Sequence, residues 1–162
     1  MEYILLLTAC INPDGMPFTC LADVGVRKKQ YIEALNFYLK NTTRKIVFVE
    51  NSGTDISSSF KDFQHRIEFL CFDGNLCFDK RKGKGYGEAL ILEYAMAKSE
   101  FITDDVLIFK LTGRLQLINI NRLIHYMDKL SPSKYLQPII TQYFIDNKSE
   151  IWLLFLIAHS KR

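Results

Sequence analysis

Residues 83 to 88 read Gly83-Lys84-Gly85-Tyr86-Gly87-Glu88, three glycines alternating with a lysine and a tyrosine, and run directly into a helix expected over Ala89 to Lys98. Glycine lets the backbone approach a bulky anion and reach positive φ without steric cost. A helix N-terminus presents unpaired N–H groups and a partial positive charge, to which Lys84 adds a full one. The chemistry that suits this stretch is phosphate binding. The same residues also suit a glycine-rich surface turn between a strand and a helix. Glu88 is open in the same way, as a ligand contact or as an acid favoured by the helix dipole.

A second loaded segment is Lys110-Leu111-Thr112-Gly113-Arg114, closing the apolar run Val106 to Leu111. Arginine's planar fork matches phosphate oxygens in pairs. Lys110 sits inside the apolar run, so it is either a functional charge or a side chain snorkelling to the sheet edge. The three histidines (His65, His125, His159) are scattered, His125 reads as structural, and no Gly-x-Ser-x-Gly elbow is present, so a serine triad has no support. Cys10, Cys20, Cys71 and Cys77 show no C-x-x-C spacing. Buried free thiols are expected from them, and zinc is not.

These residues need a scaffold, and the apolar patterning supplies one. Tyr3 to Ala9, Lys45 to Glu50, Arg66 to Phe72 and Val106 to Leu111 are short apolar or β-branched runs, as strands covered on both faces would be. Gln30 to Lys40 spaces Tyr31, Ala34, Leu35, Tyr38 and Leu39 as one face of a helix, and Leu117 to Leu130 has similar spacing. Strands alternating with helices imply an α/β fold: a mostly parallel, Rossmann-like sheet with helices on both faces. Ligands of such sheets bind beyond the carboxyl ends of the strands, where strand order reverses. That directs attention to Thr8–Asn12, Glu50–Gly53, Asp73–Asn75 and Thr112–Arg114.

The 162 residues fit a single domain, 1–162, with an α/β core over 1–120 and a helical, apolar segment over 121–162. The composition, 48% hydrophobic and 24% charged, is that of a folded chain rather than a disordered one. A net charge of +3 tolerates anionic ligands but lacks the dense basic stripe of a nucleic-acid binder, so no nucleic-acid partner is expected. Neither Tyr3 to Cys10 nor Ile151 to Ala158 is long enough to span a bilayer or serve as a secretory signal. The reading is cytoplasmic, with peripheral contact at the inner face of the membrane left open. Dinucleotide-binding and P-loop folds are excluded by position and spacing. The glycines follow the third strand rather than the first, and Gly-x-x-x-x-Gly-Lys-Ser/Thr is absent.

Taken together, Leu7 to Pro13, Arg27 to Leu35, Val49-Glu50-Asn51-Ser52, the glycine stretch and Lys110 to Arg114 resemble a family of bacterial glycosyltransferases of the GT-A fold from lipopolysaccharide and capsule biosynthesis. The resemblance covers roughly residues 3 to 120. It implies a nucleotide-sugar donor across the strand ends and a glycan or lipid-linked acceptor. Thr8 and Ala9 would line the nucleoside pocket, with Glu50 and Asn51 at the ribose or base. Lys84, Gly85, Glu88, Lys110, Thr112, Gly113 and Arg114 would surround the diphosphate and sugar. Arg27 would reach the phosphates, or else face water from the first turn of its helix; Glu50 would otherwise be a solvated strand-end acid.

The chain departs from the family where many members carry Asp-x-Asp to hold Mg²⁺ or Mn²⁺. Thr112-Gly113-Arg114 stands there instead, which implies metal-independent stabilisation of the leaving diphosphate by Arg114, Lys84 and Lys110, with Mg²⁺ or Mn²⁺ left open. No general base is identified. A non-catalytic nucleotide-binding module working with a partner chain stays open, and a nucleotidyltransferase is weaker because its glycine-rich loop would follow the first strand. The C-terminal stretch, with Ile139 to Ile145 read as helix and Trp152 to Ile157 strongly apolar, is short for the family. It reads as a final core strand, an exposed docking patch or the product of C-terminal truncation.

Overall fold

In the computed structural model the described residues are 2–16, 19–74, 82–104, 106–129, 140–145 and 149–157, with side chains described up to 125. Six strands form one sheet in the order β3-β2-β1-β4-β6-β5. β1 (Glu2–Ala9), β2 (Lys45–Glu50), β3 (Ile67–Cys71) and β4 (Val106–Thr112) run parallel, whereas β6 (Ser149–Ile157) is antiparallel to both β4 and β5 (Ile140–Ile145). The fold is therefore α/β and mostly parallel, as the strand–helix alternation implies.

The two faces of the sheet bury two separate cores, and strand alternation assigns side chains between them. Tyr3, Leu5, Leu7 and Ala9 of β1, with Leu107, Phe109 and Leu111 of β4, pack with Tyr31, Ala34, Leu35 and Tyr38 of α1 (Val24–Asn41). Ile120, Leu123 and Ile124 of α3 (Ile120–Lys129) belong to the same core. On the opposite face Ile4, Leu6, Val47, Val49, Val106 and Ile108 pack with Ile91 and Ala95 of α2 (Gly83–Lys98). Thr8 and Lys110 continue the second set, and so fall on the α2 face.

α1 starts earlier than its apolar periodicity suggests because Asp23 caps it, accepting a hydrogen bond from Val26 N at 2.7 Å. It stops at Thr42, whose hydroxyl and backbone N–H both donate to the Tyr38 carbonyl at 2.9 Å.

Three expectations are corrected. The glycine stretch is not a loop before the helix but its opening turns, with Gly83 at φ +79°. Glycine is a poor helix former, so the sequence reads as a turn. Packing of Gly87, Ile91 and Ala95 along one stripe sets the helix instead. Ile140–Ile145 is a strand, not a helix, because β6 needs a partner on its outer side and this segment pairs with it residue by residue. Ile139, Pro132, Pro138 and His159 lie outside the described residues. The cysteines differ too. Cys71 is exposed at the end of the edge strand β3 and Cys10 is only half-buried; neither these two nor Cys20 forms a disulfide among the described residues, and Cys77 lies outside the described residues.

Candidate functional site

β1 lies between β2 and β4, so the chain winds outward in both directions from it and the strand order reverses at β1/β4. A cleft of about 340 Å³ opens at the carboxyl ends of these two strands, where the general rule for such sheets puts a ligand. Thr8 and Thr112 are directly paired in the β1/β4 register and both line it. One wall is the first turns of α2, including Lys84 and Glu88. Another is Arg114, in the turn just after β4.

The polar centre of the cleft is a three-residue cluster. Thr8 Oγ1 donates to Glu88 Oε1 at 2.8 Å, and Lys110 Nζ forms an ion pair with the same oxygen. Face parity explains the meeting: Thr8 and Lys110 point to the α2 side of adjacent strands, and α2 brings Glu88 over them. Lys110 is 9% exposed, so its ammonium is held inside the fold by a carboxylate rather than snorkelling to an edge. Its charge is already balanced, and Lys110 is not among the cleft-lining residues.

Residues 10–16 and 19–21 contribute a third wall, and Arg27 ties its two ends down. Arg27 donates from Nε (2.9 Å) and Nη2 to the Cys10 carbonyl, and from Nη1 to the Leu21 carbonyl (3.0 Å). The expected water-facing side chain is instead buried, because its fork satisfies carbonyls that the folded-back segment takes from water. Tyr31 Oη accepts from Cys10 N at 3.0 Å. Burial raises the Tyr31 pKa against the opposing effects of its hydrogen bond to Cys10 and the nearby Arg27 and Arg114 guanidinium groups. Tyr38 does similar work beneath the β4–α3 connection. It donates to Leu115 O at 2.8 Å and accepts from Leu117 N at 3.1 Å, and burial pushes its pKa to about 12.

Glu50 is neither solvated nor turned to the cleft. It is 1% exposed and accepts from the backbone N–H groups of Ile11 (2.8 Å), Ser52 (2.9 Å) and Thr54 (2.8 Å), and from the Ser52 hydroxyl. Its carboxylate joins the loops after β1 and β2, which leaves it placed as a brace rather than a ribose contact. The neighbouring acid also bears on Cys71, whose thiol is pushed up to about 11, first by desolvation and then by Glu50. Asn51 does reach the cleft, and its Oδ1 is buried without a hydrogen-bond partner among the described residues.

Gly113 has a reason of its own. A Cβ there would lie 2.8 Å from the Thr8 carbonyl and 3.3 Å from the Tyr31 ring, while its N–H donates to that carbonyl at 2.9 Å. Gly113→Ala must therefore move backbone, at a cost of about 1–3 kcal/mol, readable as a lower denaturation midpoint. Gly85, by contrast, has open space where a Cβ would stand and does not line the cleft.

Eight of the residues expected at the site do line the cleft: Thr8, Ala9, Arg27, Asn51, Lys84, Glu88, Thr112 and Arg114. Glu50, Gly85, Lys110 and Gly113 do not. The wall formed by Cys10, Pro13, Met16, Thr19 and Cys20 carries no motif that sequence reasoning picks out. Its one signal is the length of sequence between the first strand and the first helix, since long connections in compact domains are commonly functional.

The donor set does not suit Mg²⁺ or Mn²⁺, which prefer several hard oxygen ligands. Glu88 is the sole carboxylate among the described cleft residues, and Lys110 and Thr8 already hold it. Among the described residues no helix is long and apolar enough to cross a membrane.

No family model matches the chain, and no curated protein does. A solved structure similar to it is the crystal structure of 4-diphosphocytidyl-2C-methyl-D-erythritol synthase, over 97% of this chain and 75% of that one, with 11% identity and a TM-score of 0.44. A likeness that weak carries no argument about chemistry.

Proposed function

We propose that the protein binds a nucleotide-activated sugar in the β1/β4 cleft and transfers the sugar to a glycan or lipid-linked hydroxyl, as the resemblance to the surface-polysaccharide glycosyltransferases implies. The observation that carries the reading is Arg114. It is half-buried on the wall of the switch-point cleft, with no hydrogen bond or ion pair among the described residues. A guanidinium held there suits a diphosphate, and Lys84 on the facing helix adds a second positive group. In the transfer the donor's C1–O bond breaks and the diphosphate leaves with the electron pair. The acceptor oxygen forms the new C1–O bond, and its proton passes to water or to the departing diphosphate. Fixed cations stabilise the charge that develops on the diphosphate.

A thermal-shift panel of UDP, GDP, CDP and dTDP with their sugars, with and without Mn²⁺, tests this. A ligand at a hundredfold excess over Kd stabilises by about 2.7 kcal/mol. Arg114→Ala is expected to weaken diphosphate binding about tenfold to a hundredfold, the range of hydrogen bonds to a charged group, with folding unchanged. Unaltered affinity in that variant, or wild-type binding that collapses with EDTA, would overturn the assignment.

One observation favours a second reading, a nucleotide-binding module without catalysis. The sole described carboxylate in the cleft is engaged by a lysine, which makes it a poor general base. Donor hydrolysis by the isolated protein supports the enzyme; nucleotide binding with no turnover on any acceptor supports the module.

A further inference from the structure

The geometry points to Glu88 as the residue that selects a hydroxyl-bearing ligand in this cleft, accepting hydrogen bonds from a sugar or ribose diol through Oε2. The inference rests on the nucleotide reading above and names the part of the ligand that this wall would recognise.

Glu88 Oε1 is taken by Thr8 Oγ1 and Lys110 Nζ, whereas Oε2 makes no hydrogen bond among the described residues. The side chain is 39% exposed and lines the cleft. An ionised carboxylate accepts hydrogen bonds and donates none. It therefore repels phosphate oxygens and attracts O–H groups, and it cannot be a second diphosphate contact. Lys110 and Thr8 act as positioning residues. They fix one oxygen and leave the other aimed by the same anchorage, with no long side chain to order when a ligand arrives.

Spacing along α2 supports the division of labour. Lys84 and Glu88 are four residues apart on one helix face, a rise of about 6 Å at 1.5 Å per residue. A diphosphate drawn to Lys84 and Arg114 thus has the Glu88 carboxylate about one helical turn further along the same wall. Thr8 and Thr112, paired across β1 and β4, form the floor between.

The test is calorimetric titration of the full chain with matched pairs: UDP and UDP-glucose, GDP and GDP-mannose, and each diphosphate against its 2′-deoxy form. Wild type is expected to prefer the hydroxyl-bearing member of a pair by about tenfold or more, the scale of one hydrogen bond to a charged group. Because Glu88→Gln alone strands the Lys110 ammonium, the double variant Glu88→Gln/Lys110→Met is the cleaner probe. It is expected to erase the preference while leaving the other ligand's Kd within about twofold, since the hydrogen bond to charge is what is removed. A preference lost against the bare diphosphate assigns the sugar hydroxyls; one lost against the 2′-deoxy form assigns the ribose. A preference that survives in the double variant, or equal weakening of both members of each pair, overturns the role of Glu88. Wild type binding none of these nucleotides overturns the nucleotide reading and this inference together, while nucleotide binding with no preference in wild type overturns the inference alone.

Discussion

Glu50→Ala is expected to lose about 2–4 kcal/mol of folding stability, because one buried and two partly buried backbone donors lose their acceptor and a buried donor left unmet costs about 1–3 kcal/mol. The donors belong to Ile11, Ser52 and Thr54, so both loops at the carboxyl ends of β1 and β2 lose the same support. Against a total stability of about 5–15 kcal/mol for an ordinary domain, the loss is severe. Glu50→Gln is not expected to rescue it. One glutamine oxygen can still accept, but the amide nitrogen is a donor facing donors: Glu50 Oε1 receives Ile11 N and the Ser52 hydroxyl, and Oε2 receives Ser52 N and Thr54 N. Urea denaturation of wild type, Glu50→Gln and Glu50→Ala checks this. Near-wild-type midpoints in either variant would show that the carboxylate does not brace the loops.

Glu50 also shows where sequence reading stops. Its position is legible: Lys45–Glu50 is bounded in the structure as its β-branched run implies, and a carboxylate at a strand end next to the switch region is a fair ligand candidate. What its oxygens face depends on how two loops from different strands fold back, and residue type does not encode that. The Thr8–Glu88–Lys110 cluster is hidden for a different reason. Each member is visible as chemically active, but their meeting follows from the β1/β4 register and from which face α2 covers. Neither follows from local periodicity. Thr8, Ala9 and Arg114 can be found because topology alone places strand ends at the cleft. The opening turns of α2 and the strand Ile140–Ile145 escape a local reading because tertiary pairing overrides local propensity there.

Arg27→Met is expected to destabilise the fold by about 2–4 kcal/mol, from the loss of charged hydrogen bonds worth about 1.5–3 kcal/mol each at partly buried carbonyls. Methionine keeps much of the stem's volume, so the effect isolates the guanidinium. The Cys10 and Leu21 carbonyls would have to find water, and the 10–21 wall of the cleft would open with them. Arg27→Lys is not expected to restore stability, because a single flexible ammonium cannot reproduce a planar fork that spans two carbonyls. Amide hydrogen exchange gives the local readout, with faster exchange expected in the Cys10 to Leu21 segment for both variants. The same pair of variants separates a brace from a phosphate contact. A brace lowers the denaturation midpoint and loosens this segment without any ligand present. A phosphate contact leaves the midpoint unchanged and raises the Kd for a nucleoside diphosphate in a salt-dependent way, with lysine retaining part of the affinity. With all three donor nitrogens of Arg27 on backbone carbonyls, the geometry favours the first outcome and leaves Arg114 as the guanidinium available to the diphosphate.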